Sequence, residues 1–223
     1  MLQLEDSQAL AGVASLLADP TRAEMLVVMM DGRAFPVSEL ASYVHVAVPT
    51  ASHHLAKLVD GGLVQVVRQG RHRYHRIASE QVASLIEALA VATPRLAPTR
   101  SQPLRHCRTC YNHLAGEVGV GLRESLESGG FIELAEGLYS PKRASALDRL
   151  GLDVGGLVGK ACLDWTERVP HIGGPLGSAL FRGLMDSGWI ERGDVPRQIR
   201  LTSIGVRQFW VAFGIGPRKL DAV

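Results

Sequence analysis

Cysteine is scarce in this 223-residue chain: three residues, an odd number, which argues against a disulfide framework and suits a reducing compartment. Long apolar runs are lacking too. No uninterrupted stretch approaches the roughly 20 residues that a membrane-spanning helix requires, so no membrane partner is expected. The first residues, Met1-Leu2-Gln3-Leu4-Glu5-Asp6, are acidic and carry no basic segment followed by an apolar one, so a cytoplasmic protein without a secretory signal is expected. An excess of charge of either sign is absent as well. The net charge is +2, and any contact with nucleic acid must come from local clustering of Lys and Arg. No Ser or Cys stands in a strained turn between strand and helix, so no nucleophile–base–orienter set is visible and the chain does not read as an enzyme. The rest is ordinary for a folded globular protein. Apolar residues make up 46% and charged residues 21%, in a chain long enough for one large domain or two small ones.

The first 95 residues read as helices followed by a hairpin and a last helix. Leu10, Val13, Ala14, Leu16 and Leu17 recur at helical spacing, and Asp19-Pro20 stops that helix and starts another. The second helix carries Met25, Leu26, Val28 and Met29 and ends at Asp31-Gly32. Ser38 stands ahead of a short helix reaching Tyr43, and the next helix begins near Pro49 and ends at Asp60-Gly61-Gly62. Leu63 to Arg68 alternates and is rich in β-branched residues, Gln69-Gly70 supplies a turn, and His72 to Ile77 returns as a second strand. Val82, Leu85, Ile86 and Leu89 mark an amphipathic helix.

Two pieces of this segment carry chemistry. A recognition helix needs short polar side chains at its start, to reach base edges, and an apolar face to dock on the preceding helix. Thr50, Ser52, His53 and His54 meet the first need, and Leu55 and Leu58 the second. Either histidine also reads as a packed helix residue. Arg68, Arg71, Arg73 and Arg76 fall in a nine-residue window with no acidic residue, and Lys57 adds a charge in the helix. Cations at a hairpin tip bind phosphate and supply affinity without sequence choice. Together these elements form a winged helix-turn-helix.

Residues 8 to 92 resemble the arsenic-repressor (ArsR/SmtB) family of winged-helix regulators. The resemblance is carried by Leu17-Ala18-Asp19-Pro20-Thr21-Arg22, Ser38-Glu39-Leu40-Ala41, Pro49-Thr50-Ala51-Ser52-His53-His54-Leu55, Gly61-Gly62-Leu63-Val64 and Arg68-Gln69-Gly70-Arg71. It implies a homodimer whose first and fifth helices pair, repression of a promoter, and release when a ligand binds. Dimerisation follows from physics too, because the Leu10–Leu17 and Val82–Leu89 stripes are more apolar surface than a small winged helix covers alone. Two departures matter. Members of the family often carry Ser-Gln before the recognition-helix proline, where this chain has Ala47-Val48, so base readout rests on Thr50, Ser52 and His53. Metal sensors of the family place Cys-x-Cys in the third helix or Asp/His ligands in the fifth. Here the third helix reads Glu39-Leu40-Ala41-Ser42-Tyr43 and the fifth Gln81-Val82-Ala83-Ser84-Leu85, so neither binds a metal as the family does.

Beyond a linker at 96–104, rich in Pro, Arg, Ser and Thr, the chain repeats itself with an offset of 58 residues. His113-Leu114-Ala115-Gly116 returns as His171-Ile172-Gly173-Gly174, and Leu122, Leu126, Gly130, Phe131, Ile132 and Glu133 return as Leu180, Leu184, Gly188, Trp189, Ile190 and Glu191. Each copy, about 107–155 and 162–216, reads as a helix, a glycine turn, a short hairpin and a second helix. All three cysteines lie in this half. On a helix Cys107 and Cys110 share a face, His113 follows closely, and Cys162 of the second copy is expected within reach. Three thiolates favour zinc or another soft metal over magnesium or calcium. The opposing reading is that buried cysteines and repeated histidines pack a core. Trp165, Trp189, Trp210, Phe209 and Phe213 either line a pocket for an organic ligand or fill that core. Gly116-x-x-Gly119-x-Gly121 is rejected as a nucleotide motif, because no strand is read ahead of it and no βαβ unit surrounds it.

The expected architecture is mainly α with short β-hairpins: a winged helix-turn-helix over 1–95, for DNA binding and dimerisation, and a duplicated domain of helix–hairpin–helix units over 105–223, for sensing. The expected function is a DNA-binding repressor, homodimeric on a double-stranded operator and released by a metal, redox or small-molecule inducer. Thr50, Ser52, His53 and His54 would read bases, and Lys57, Arg68, Arg71 and Arg73 would hold phosphates. Cys107, Cys110, Cys162 and His113 form the candidate metal or redox set. Two alternatives remain open: a thiol-dependent enzyme fused to a degenerate winged helix, and a ligand-free architectural DNA-binding protein.

Overall fold

The computed structural model describes residues 4–92 and 102–215, which divide into two units, Met1–Ile86 and Glu87–Val223. Among the described residues no helix is long and apolar enough to cross a membrane.

The first unit runs α1 (Leu4–Leu17), α2 (Pro20–Met29), β1 (Phe35–Pro36), α3 (Val37–Tyr43), α4 (Val48–Asp60), β2 (Val64–Gln69) and β3 (His72–Ile77), and ends within α5 (Glu80–Ala92). Asp19 starts α2 by accepting the Arg22 N–H at 2.9 Å, with Pro20 in the first turn, where its missing N–H costs nothing. The Arg22 side chain then donates to the carbonyls of Leu16 and Ser15, at 2.7 and 2.9 Å, closing the end of α1. Ala51, Leu55 and Leu58 recur at helical spacing along α4 and are buried, together with Met25, Leu26, Met29 and Leu40. This stripe fixes the rotation of α4, and so decides which side chains are left to face outward.

β2 and β3 pair antiparallel from Val64↔Ile77 to Gln69↔His72, leaving Gly70 and Arg71 as the turn. Gly70 has a φ of +58°, which a two-residue hairpin turn demands. β1 has no counterpart among the expected elements. Its two residues pair with β3 (Phe35↔His75, Pro36↔Tyr74) and complete a sheet of order β1-β3-β2. Two residues are too few to show an alternating pattern, and proline is tolerated there because β1 is an edge.

The second unit contains α6 (Gln102–His106), β4 (Arg108–Cys110), β5 (His113–Ala115), α7 (Gly116–Ser128), β6 (Ile132–Ala135), β7 (Leu138–Pro141) and α8 (Ala144–Asp148). There follow β8 (Gly159–Leu163), β9 (Pro170–Gly173), α9 (Gly174–Asp186), β10 (Ile190–Arg192), β11 (Ile199–Leu201) and α10 (Ser203–Phe213). Once α6 is set aside, both runs have the order hairpin, helix, hairpin, helix, so each carries a hairpin that the expected helix–hairpin–helix lacks. β6, β7, β8 and β9 join in one antiparallel sheet, while β4–β5 and β10–β11 stand as separate hairpins. α7 packs on β9 and α9 on β5. The core between them holds Leu114, Val118, Leu122, Leu126, Ile172, Leu176, Leu180 and Leu184.

Three sequence expectations change here. Of the linker at 96–104, residues 96–101 lie outside the described residues, and 102–104 belong to α6. Cys107 and Cys110 do not share a helix face: Cys107 lies just before β4 and Cys110 ends it, since the strands of this hairpin are only three residues long and leave no periodic signature. A strand, β5, does precede Gly116. The nucleotide motif fails for another reason: Gly116 N, at a φ of +81°, donates to Asp164 Oδ2 at 2.7 Å, so this N–H is not free for phosphate.

Candidate nucleic-acid interface and a buried cysteine–histidine cluster

On α4, Thr50, Ser52, His53 and Lys57 are exposed. Thr50 and His53 share a side of the first turns with Lys57 one turn on, while Ser52 faces a groove lined also by Arg73 and His75 of β3. His54 is placed differently from the other three residues expected to read bases. It is half-buried, and its Nδ1 sits 3.5 Å from Asp19 Oδ1 at the start of α2. Asp19 in turn is held below the usual carboxylate range, chiefly by the Arg22 N–H it accepts and further by His54.

Arg68, Arg71, Arg73 and Arg76 are all exposed on the hairpin. Arg68 and Arg73 stand directly opposite each other in the strand register. Like charges facing across a hairpin destabilise it. The two-residue turn at Gly70-Arg71 determines this register.

The second centre lies between two hairpins of the second unit. Cys110 and His113 are cross-strand partners in β4–β5, and Cys162 and His171 are cross-strand partners in β8–β9. The hairpins face each other so that Cys110 Sγ lies 3.9 Å from Cys162 Sγ and His113 Nε2 lies 3.1 Å from His171 Nε2. One donor atom from each of the four residues falls within 4.8 Å of all the others. Cys110, His113 and His171 are buried and Cys162 is partly so.

Charge in this cluster is unevenly held. The hydrogen bond from Cys110 pulls the Cys162 thiol far down against burial, helped by His113 and His171, while that same bond and burial push Cys110 up. Burial keeps His113 below its ordinary range. Burial alone would lower His171 too, but Asp164 and Cys162 raise it to about 9. Its Nδ1 lies 3.2 Å from Asp164 Oδ2, off the line of a strict hydrogen bond. Asp164 is itself fully buried and accepts from Arg108 at 2.9 Å, from the Thr166 hydroxyl at 2.7 Å, and from the N–H groups of Thr166, Glu167 and Gly116. Burial works against its ionisation, yet His171 and Arg108 hold the carboxyl well below the usual range. Beside Cys110, Thr109 exchanges hydrogen bonds with Arg197 at 2.8 and 3.1 Å, and Arg197 pairs with Glu87 of α5 at 3.0 Å.

Of the expected metal or redox set, Cys110, Cys162 and His113 come together. Cys107 does not: it is fully buried among the apolar residues of the core, where burial pushes its thiol up. His171 takes the fourth place instead. The 58-residue offset that pairs it with His113 was the available signal, and it pointed to a packing role. The aromatic residues are mostly core: Trp189, Phe209 and Phe213 meet at ring centroid distances of 5.7 to 6.1 Å, and Arg108 lies over Trp165 at 5.0 Å. Trp210 is exposed.

Known proteins resemble the chain in both units. The family model for the bacterial regulatory protein, arsR family, matches residues 19–66. The uncharacterized HTH-type transcriptional regulator YdfF of Bacillus subtilis is 38% identical over 211 residues, spanning 88% of this chain and 93% of YdfF. The HTH-type transcriptional regulator CmtR of Mycobacterium tuberculosis is 35% identical over 81 residues, 36% of this chain and 68% of CmtR. Among solved structures, the homodimeric winged helix-turn-helix DNA-binding domain of Mb0332 from Mycobacterium bovis is 30% identical over 45% of this chain and 95% of its own, with a TM-score of 0.39.

Proposed function

The chain belongs to the arsR family of bacterial regulatory proteins and is a transcriptional regulator with a winged helix-turn-helix, and on that premise we propose that it is a homodimeric repressor that leaves a double-stranded DNA operator when its second unit takes up an inducer. The observation that carries the reading is the facing pair Arg68 and Arg73 on an exposed hairpin. Their repulsion is a cost in the free protein, and a phosphate set between them removes it. Arg71 at the hairpin tip and Lys57 on α4 add two further exposed cations. Thr50, Ser52 and His53 are the base-reading residues, since the first turns of a recognition helix reach the major groove. His54 orients α4 on Asp19.

Arg71→Ala is expected to weaken binding to every DNA sequence by a similar factor and to lower the slope of log affinity against log salt by about 0.9, one phosphate contact. Fluorescence anisotropy over a salt series, on two unrelated duplexes, measures both. An unchanged slope would remove Arg71 from the phosphate contacts.

The dimer reading is supported by Leu10 on α1 and by Leu85 and Leu89 on α5, apolar side chains left exposed in the single chain. Two copies would contact half-sites about one helical turn apart. The sensing domain over 105–223 is read as an internal duplication. Its support is that α7 and α9 start 58 residues apart, at Gly116 and Gly174, both with positive φ. The packed aromatic core and the converging thiols and imidazoles favour a metal or redox inducer over an organic one. Within the second unit, Arg197 ties Thr109, the neighbour of Cys110, to Glu87.

A further inference from the structure

We propose that Cys110, His113, Cys162 and His171 bind one zinc-class divalent ion in a closed four-coordinate shell of two thiolates and two imidazole Nε2 atoms. The site deepens the sensing reading above and rests on it only for what loading does to DNA binding. The geometry is the first support. In a tetrahedral shell with Zn–S of about 2.3 Å and Zn–N of about 2.05 Å, the two sulfurs lie about 3.8 Å apart and the two nitrogens about 3.3 Å apart. The observed separations are 3.9 Å and 3.1 Å.

The donor set is the second support. Two thiolates balance a divalent charge, so the loaded centre is neutral where burial would penalise a net charge. No carboxylate oxygen belongs to the set, which turns the site away from magnesium and calcium. The third support is what stands behind the donors. His171 offers Nε2 because its Nδ1 faces Asp164, and Asp164 is fixed in turn by Arg108, Thr166 and Gly116. Such a carboxylate behind a ligating histidine sets its tautomer and raises its basicity. Gly173 leaves the room. A Cβ there would lie 3.0 Å from Cys162 Cβ and 3.3 Å from His113 Nε2.

The competing state is a Cys110–Cys162 disulfide, which needs the sulfurs to close to about 2.05 Å and leaves the imidazoles out. The test uses the full chain, reduced, stripped with a chelator and titrated with Zn²⁺ and with Co²⁺ alone. One equivalent of each is expected. The cobalt form should show the intense visible bands of a four-coordinate ion and thiolate charge transfer in the near ultraviolet. Cys110→Ser and His171→Ala should abolish the stoichiometric step, Asp164→Asn should weaken it about tenfold or more, and Cys107→Ala should leave stoichiometry and spectrum unchanged. Circular dichroism of each stripped variant keeps misfolding apart from loss of a ligand, and the metal-induced rise in Tm should vanish only with the ligands. No stoichiometric binding by folded, reduced protein would overturn the site. So would weak, six-coordinate cobalt, or equal loss in Cys107→Ala. Anisotropy with operator DNA is a separate measurement: binding of metal with unaltered DNA affinity leaves the site standing and sinks the sensing reading.

Discussion

At the scale of single residues, the second unit concentrates its electrostatic risk at Asp164. A fully buried carboxylate is tolerable only when its charge is matched, and here Arg108 supplies the opposite charge while three backbone N–H groups and a hydroxyl complete its hydrogen bonds. Replacing it by the isosteric amide leaves Arg108, itself 1% exposed, without its counter-charge. Asp164→Asn is therefore expected to cost about 3–5 kcal/mol of stability, the usual penalty for breaking a buried pair. Urea denaturation followed by tryptophan fluorescence measures it, and a loss under 1 kcal/mol would show that Arg108 has found other partners. The residue scale is also where sequence reasoning reached least far. Cys110, Cys162 and His113 were legible as chemistry. The two-residue gap between Cys107 and Cys110 mimics a ligand spacing, whereas nothing local marks His171. The 58-residue offset pairs it with His113, and the hairpin register, which sets Cys162 opposite His171, places it at the cluster.

Elements were legible where they are long enough to show a period. The four longer helices of the first unit's sequence and the β2–β3 hairpin follow from apolar spacing, from Asp19-Pro20 and from the glycine turns. The two-residue β1 and the three-residue strands β4 and β5 carry no such pattern, which is why a helix was read where a hairpin stands. The relation between helix and strand in the second unit turns on two glycines, Gly119 of α7 and Gly177 of α9. A Cβ on Gly119 would lie 2.6 Å from Leu114 O, and one on Gly177 would lie 2.1 Å from Ile172 O. Both carbonyls belong to the strands that run into these helices, β5 and β9. Gly177→Ala should push α9 off β9 and cost about 1–3 kcal/mol by overpacking. A thermal melt tests this, and an unchanged Tm would mean that α9 shifts without loss. Because His113 Cβ also lies 3.1 Å from that position, the same change should loosen one metal donor.

For the whole molecule, the proposed regulator joins a cationic DNA-reading unit to a unit whose polar centre is largely buried. Its assembly is testable in solution. Leu10 and Leu89 are 68% and 42% exposed, and a second copy is the natural cover for them. Introducing Leu10→Glu together with Leu89→Glu should turn a dimer into a folded monomer by sedimentation and abolish cooperative binding to a two-half-site duplex; a persisting dimer would place the interface elsewhere. The cysteine pair has a further consequence, in the statistics of the unfolded chain. Cys110 and Cys162 are separated by 52 residues, and a bridge between them shuts the intervening chain into a ring. Closing a ring of that size in the denatured state is worth roughly 4 kcal/mol in the chain-entropy picture. The exposed Gly155-Gly156 turn lies on that ring. An ion at the cluster would thus act as a rivet: in a chain nicked by protease at this turn it would tie Cys110 of one piece to Cys162 of the other, in addition to the core that both pieces share.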